Sequence, residues 1–137
     1  MAELSVSIPV ENVGRSRQFY EALGFVANPQ FTNEDGAMMR LSDAIFVMLV
    51  SHEKWATLTK KQRVDPRRAA QVGFSLWRPS GAAVDATADA AIKAGGKADP
   101  AQDHEHGFMY GRCVEDPDGA VWDVMWMDPA AMAGAGA

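Results

Sequence analysis

The sequence predicts an α+β fold in which two βαβββ modules form a curved mixed sheet around a concave pocket, with the helices outside. Three observations predict it. The order strand, helix, three strands is read twice along the 137 residues. The glycines that end the two helices, Gly24 and Gly95, stand 71 residues apart, and the centres of the two leading strands, Ile8 and Leu76, stand 68 apart. Such near-equal offsets mark one unit used twice. A single βαβββ unit covers one sheet face with its helix and leaves the other bare. Pairing two of them edge to edge, within one chain or between two, produces a concavity suited to a ligand.

Residues 3–10, ELSVSIPV, read as a strand. Asn12 can cap the helix that follows, because its side-chain oxygen accepts from the first free backbone amides. Val13, Ser16, Arg17, Phe19, Tyr20 and Leu23 then fall at helical spacing, and Gly24 stands where a left-handed cap ends helix 13–23. Strands 24–31, 36–42 and 45–51 follow, separated by Asn, Asp and Gly turn signals. The stretch HEKWATLTKKQRVDPRR (52–68) predicts a short helix around Trp55 and Leu58 and then a polar linker. In the second half, 71–79 is the leading strand and Ser80 caps a helix whose stripe is Val84, Ala88, Ala91 and Ile92. Gly95 and Gly96 end that helix. Strands 97–102, 107–114 and 120–127 complete the repeat, with the turn DPDG at 116–119 before the last. The modules are thus 3–51 and 71–127, joined by linker 52–70, in a single domain over 1–128. Residues 129–137, small side chains that cannot build a core, form a flexible tail.

Composition narrows the function. Thirteen Lys and Arg stand against eighteen Asp and Glu, a net charge of −5, which argues against a nucleic-acid partner. The one basic cluster, Lys60, Lys61, Arg63, Arg67 and Arg68, reads as a solvated loop. Cys113 is the single cysteine, so no internal disulfide exists and a reducing compartment suits the chain. No basic leader with an apolar run opens it and no stretch approaches the ~18 apolar residues of a membrane span. A cytoplasmic protein with no membrane partner is expected. Glycine-rich phosphate loops are missing, since EALGF and KAGGK are helix ends.

The stretch EDPDGAVWDVMWM (115–127) places Asp123 among Trp122, Val124, Met125 and Trp126. A carboxylate stranded there costs several kcal/mol unless a metal, a cation or solvent compensates it. His104 and His106 flank Glu105 in QDHEHG, a spacing that aims both to one side if extended, but beside Gly107 the pair reads as a polar surface turn. Cys113, with Val114 beside it and only Arg112 to lower its pKa, reads as an inert buried thiol.

The doubled βαβββ order, VENVGRSRQFYEALGF after the first strand and EDPDGAVWDVMWM near the end together resemble the vicinal oxygen chelate superfamily. That group includes glyoxalases, bleomycin- and fosfomycin-resistance proteins and extradiol dioxygenases. The resemblance runs from about Glu3 to Asp128, and GFMYGRCVEDPDGAVWDVMWMD is most similar to bacterial proteins described as lactoylglutathione lyase-related. In its metal-using members, inward His and Glu side chains from the first and fourth strands of each module hold a divalent cation. Carried onto this sequence, those positions are Ser5, Met48, Gln71 and Asp123. Only Asp123 is a strong donor and Gln71 a weak one, so the resemblance implies no metal, or at most a divalent ion on Asp123 with Gln71.

Strand parity extends the site. If Asp123 faces inward, so do Val121, Met125 and Met127; Gln71 brings Gly73, Ser75 and Trp77; Met48 brings Phe46 and Val50; Ser5 brings Ser7 and Pro9. Trp122 and Trp126, on the other parity, pack under the helices. Tyr110 and Arg112 share a face and offer a hydroxyl and a guanidinium to an anionic or carbonyl ligand if that face is the concave one; otherwise Arg112 is an edge charge. The expected ligand-binding set is Ser5, Phe46, Met48, Gln71, Trp77, Tyr110, Arg112, Asp123 and Met125. The expected function is a metal-free protein without a cofactor that binds a small aromatic or amphipathic molecule, as a homodimer in the manner of relatives of this size. The alternative is a metal-dependent glyoxalase-like lyase or isomerase, or a dioxygenase. A glyoxalase reaction expects metal plus a Glu base, and only one carboxylate is at hand.

Overall fold

The computed structural model describes residues 2–98 and 104–131, with the backbone alone for 104–106. The first module runs β1 (Leu4–Val10), α1 (Val13–Ala22), β2 (Val26–Thr32), β3 (Gly36–Arg40) and β4 (Ile45–Ser51). After α2 (His52–Leu58) and the linker come β5 (Gly73–Trp77), α3 (Gly81–Lys93), β6 (Lys97–Ala98), β7 (His104–His106), β8 (Met109–Glu115) and β9 (Val121–Met127). The expected caps form. Asn12 Oδ1 accepts from Arg15 N at 2.9 Å, and Ser80 Oγ accepts from Ala83 N at 3.0 Å. Gly24 and Gly95, at φ of +109° and +110°, let the chain leave α1 and α3 through a conformation that side chains resist.

The strands form two separate mixed sheets, ordered β1-β4-β3-β2 and β5-β9-β8-β6, with β7 also paired to β8. The leading strand of each lies parallel to the last, β1 to β4 and β5 to β9, and the other pairings are antiparallel. This is the twofold use of one unit that the sequence implies. The sheets do not join through hydrogen bonds at β1 and β5; the modules meet through their helix-covered faces instead.

One hydrophobic core spans both modules. Ile8, Val10, Val47, Leu49 and Met39 turn toward α1, while Leu76, Val114, Trp122 and Val124 turn toward α3. The seam is aromatic. Tyr20 meets Phe25 and Trp122 edge to face, with ring centroids 5.8 and 5.5 Å apart, and Phe74 stacks on Trp122 at 4.6 Å. Each such ring contributes about 1.5–3 kcal/mol by leaving water, and the ring pairs add somewhat more.

The strand bounds are not all those of the sequence reading. The strand expected over 71–79 is only Gly73–Trp77: Gln71 and Val72 precede it as exposed linker, and Pro79 has no amide with which to extend it. Of the strand expected over 97–102, Lys97 and Ala98 pair with β8, and residues 99–102 lie outside the described residues. The His104–His106 segment, expected as a turn, is β7, joined to β8 through a turn at Gly107 and Phe108. The tail from 132 onward also lies outside the described residues. No described helix is long and apolar enough to cross a membrane.

Candidate functional site

The DPDG turn is the clamp between modules. Asp116, 2% exposed, accepts through Oδ1 from the amides of Asp118, Gly119 and Ala120 at 2.9, 2.9 and 2.8 Å. Its Oδ2 accepts from the Tyr20 hydroxyl of α1 at 2.8 Å, and that hydroxyl accepts from Trp122 Nε1 at 3.1 Å. Burial pushes the Asp116 carboxyl above its usual range, while the amides of Ala120 and Asp118 and the Tyr20 hydroxyl pull it back down. Burial, with the neighbouring Asp116 charge, raises Tyr20 well above its usual value. Asp118 completes the clamp by accepting from Glu11 N at 2.8 Å and from Arg15 Nη2 at 2.6 Å.

Beside this clamp, the free edges of β1 and β5 flank a cavity of about 480 Å³ roofed by the linker. Its apolar wall is Val6, Ile8 and Pro9 of β1, Phe74 of β5, Val72 just before it, Trp55 of α2, and Val64 and Pro66 of the linker. Ser7, Thr59, Gln62 and Gln71 add hydroxyl and amide groups, and Lys61 and Arg63 add two cations. Asp116 and Asp118 also border it, but their oxygens are taken up by the clamp. A smaller hollow of about 210 Å³ shares Pro9, Arg63, Pro66 and Asp118 and adds His52, Asp65 and Arg67. The roof is held close: a Cβ on Gly119 would lie 2.9 Å from both Arg67 N and the Pro66 carbonyl carbon. This size and mostly apolar character with a few polar groups are those of small-molecule sites.

The structure distributes the expected site residues over three places. Gln71 lines the cavity. Ser5 pairs in register with Phe46, and Ser7, not Ser5, stands beside Met48, all on the first sheet's face turned away from α1. Ser75 and Cys113 flank Asp123 in register, and Trp77 stands beside Met125, on the second sheet's face turned away from α3. Asp123 is therefore half-buried between a hydroxyl and a thiol strand neighbour, with no hydrogen-bond or ion-pair partner among the described residues. Tyr110 and Arg112 lie on the helix-covered face. Tyr110 donates to Asp85 of α3 at 2.6 Å, and Arg112 donates to Asp89 at 2.9 Å and pairs with Asp85 at 3.4 Å. The Asp89 hydrogen bond raises the Arg112 pKa further, so this pair fastens β8 to α3.

The family's cation does not fit these residues. Gln71 precedes its strand, and Asp123 is the only carboxylate of the four. A hydroxyl, a thioether and an amide are poor donors for a divalent ion of this family. Among the described residues no group of three or more His, Cys, Asp and Glu side chains could hold a metal.

Residues 4–124 match the family model described as the Glyoxalase/Bleomycin resistance protein/Dioxygenase superfamily, and the chain belongs to that superfamily. Solved structures agree on the fold. A hypothetical protein, SA1046 from S. aureus, is 21% identical with a TM-score of 0.75, over 92% of this chain and 94% of its own. A glyoxalase-related enzyme from Fulvimarina pelagi is 16% identical with a TM-score of 0.74, over 92% and 86%. A glyoxalase/bleomycin resistance protein/dioxygenase family enzyme from Burkholderia phytofirmans PsJN is 16% identical with a TM-score of 0.70, over 90% and 96%. None of the curated proteins compared with the chain matches its sequence.

The sequence reading did not find Trp55, Lys61, Arg63, Val64 and Val72 as cavity residues. A signal was present: the basic cluster of the linker is preceded by apolar Trp55 and Leu58 and interrupted by Val64, a pattern that a purely solvated loop does not need.

Proposed function

We propose that this protein binds a small aromatic or amphipathic molecule without using a metal. The observation that carries the reading is the 480 Å³ cavity, whose apolar wall surrounds a few hydroxyl and amide groups. A bound aromatic ring would cover Phe74, Val72 and Trp55 and gain roughly 25 cal/mol for each Å² of apolar surface removed from water. The lyase or isomerase reading has less support: it needs a metal and a carboxylate base together, and the positions the family uses supply one carboxylate. The resemblance to lactoylglutathione lyase-related proteins rests on the sequence alone, and we propose no lyase activity from it.

We also propose that two copies pair as a homodimer in the cytoplasm. Trp77, on the sheet face turned away from α3, is 54% exposed, and Leu4 and Ile45, paired at the start of β1 and β4, are exposed as well. Apolar groups of this size left in water favour a self-complementary contact. The test uses the neutral fluorescent probe N-phenylnaphthylamine. Protein dialysed against a chelator should bind it in the micromolar range, with the same affinity as undialysed protein. Native mass spectrometry of that sample should give a dimer free of divalent ion. Binding that appears only when Zn, Ni or Mn is restored would contradict the metal-free reading.

A further inference from the structure

We propose that the ligand is an organic anion, with an aromatic or branched apolar body against Trp55, Val72 and Phe74 and its acidic group at the rim against Arg63 and Lys61. The inference rests on the small-molecule reading of the same cavity and adds the charge of the ligand to it.

The interior alone would suit a neutral molecule; the rim decides otherwise. Lys61 and Arg63 line the cavity, and neither has an ion-pair partner among the described residues. The acids nearby are engaged elsewhere. Asp116 accepts three amides and the Tyr20 hydroxyl, and Asp118 holds Arg15 and the Glu11 amide. Asp65 caps the Arg67 amide at 3.0 Å, and its Oδ1 lies 3.9 Å from the Arg67 guanidinium. Arg67 itself is spent on Glu11, 3.4 Å away, and on the Asp118 carboxylate at 3.8 Å. Two unpaired cations therefore stand at the mouth of an apolar chamber in a chain whose net charge is −5.

Arg63 also borders the smaller hollow, which leaves room for a carboxylate or sulfonate beside the larger body. A guanidinium binds such a group through paired, charge-assisted hydrogen bonds, which are stronger than neutral ones and stronger again where the apolar wall excludes water. A second group awaits an acceptor. The indole N–H of Trp55 is buried and without a hydrogen-bond partner among the described residues. A buried donor left unmade is costly, and a turn of the Trp55 ring that brought this N–H into the cavity would let an oxygen of the ligand remove that cost.

The experiment compares two fluorescent probes of nearly equal shape, anionic anilinonaphthalene sulfonate and neutral N-phenylnaphthylamine, on the full chain. The anion should bind about tenfold more tightly than its neutral counterpart, with the advantage shrinking as salt is raised. Arg63→Gln should remove most of that preference by weakening the anionic probe far more than the neutral one, and Arg63→Lys should keep part of it. Val72→Trp, which fills the chamber, should displace both probes. Equal affinity for the two probes, or a preference untouched by Arg63→Gln, overturns the anion inference while the small-molecule reading stands. Anion binding that survives Val72→Trp overturns it too, because the anion then sits elsewhere. If neither probe binds, the small-molecule reading fails and the anion inference falls with it.

Discussion

Asp116→Ala should cost about 3–5 kcal/mol of stability, because it leaves buried donors without their acceptor. Three backbone amides and the Tyr20 hydroxyl lose their partner at once, and only water entering from the adjoining cavity can take its place. Tyr20→Phe should cost less, roughly 1–2 kcal/mol, since only the Asp116–Tyr20–Trp122 link is lost and the ring stays packed. Urea unfolding of the two variants and their double mutant reads the coupling, and additive losses would show that the link does not hold the modules together. The pH dependence has a definite sign. Burial raises the folded-state pKa of Asp116, so the fold binds this proton more tightly than the unfolded chain does. Its linked contribution to stability is full below the ordinary carboxylate value and fades as pH rises through the folded value. The deficit of Asp116→Ala should accordingly widen on acidification through that window.

Gly119→Ala should be more damaging than Gly24→Ala, although the two glycines share nearly the same φ, +110° and +109°. Both substitutions force a side chain into a left-handed backbone, at about 1–2 kcal/mol. At Gly24 the added Cβ meets nothing within 4 Å, so that is the whole effect. At Gly119 it meets the linker backbone at 2.9 Å, and backbone cannot swing aside as a flexible side chain can. The loss should reach about 3 kcal/mol or more, or else the linker must lift. Lifting moves Pro66, a cavity residue, so Gly119→Ala should also weaken N-phenylnaphthylamine binding several-fold while Gly24→Ala leaves it intact. Equal stability losses and unchanged binding in both variants would mean that the linker does not rest on this turn.

The sequence announced the fold because its repeated signals are local. Asn12 and Ser80 as caps, Gly24 and Gly95 as stops, and alternation in β1 and β9 each act within a few residues, and each formed as read. The helix-side packing of Trp122 followed from parity for the same reason. What parity could not supply was the relation between sheets. Ser5, Phe46 and Met48 were grouped with Asp123 and Met125 on the assumption of one continuous concave sheet, whereas the chain forms two sheets, with the linker over the gap between β1 and β5. The register also had to be seen. The family resemblance puts Gln71 in one set with Asp123, but the strand begins at Gly73 and places Ser75 beside it. Tyr110 and Arg112 were correctly read as sharing a face; only the packing of α3 shows that the face belongs to Asp85 and Asp89. The cavity was the least legible feature, because an irregular linker has no period to read, and its residues become a wall only when the two edge strands stand on either side.

Amide and indole chemical-shift mapping of isotopically labelled, chelator-treated protein during titration with N-phenylnaphthylamine locates the bound molecule. Shifts should be confined to Val6–Ile8, Lys61–Val64 and Val72–Phe74, together with the Trp55 indole resonance, since these surround the cavity. Shifts centred instead on Phe46, Met48, Asp123 and Met125, or a response that requires an added divalent ion, would contradict metal-free binding in the cavity and return the site to the sheet faces.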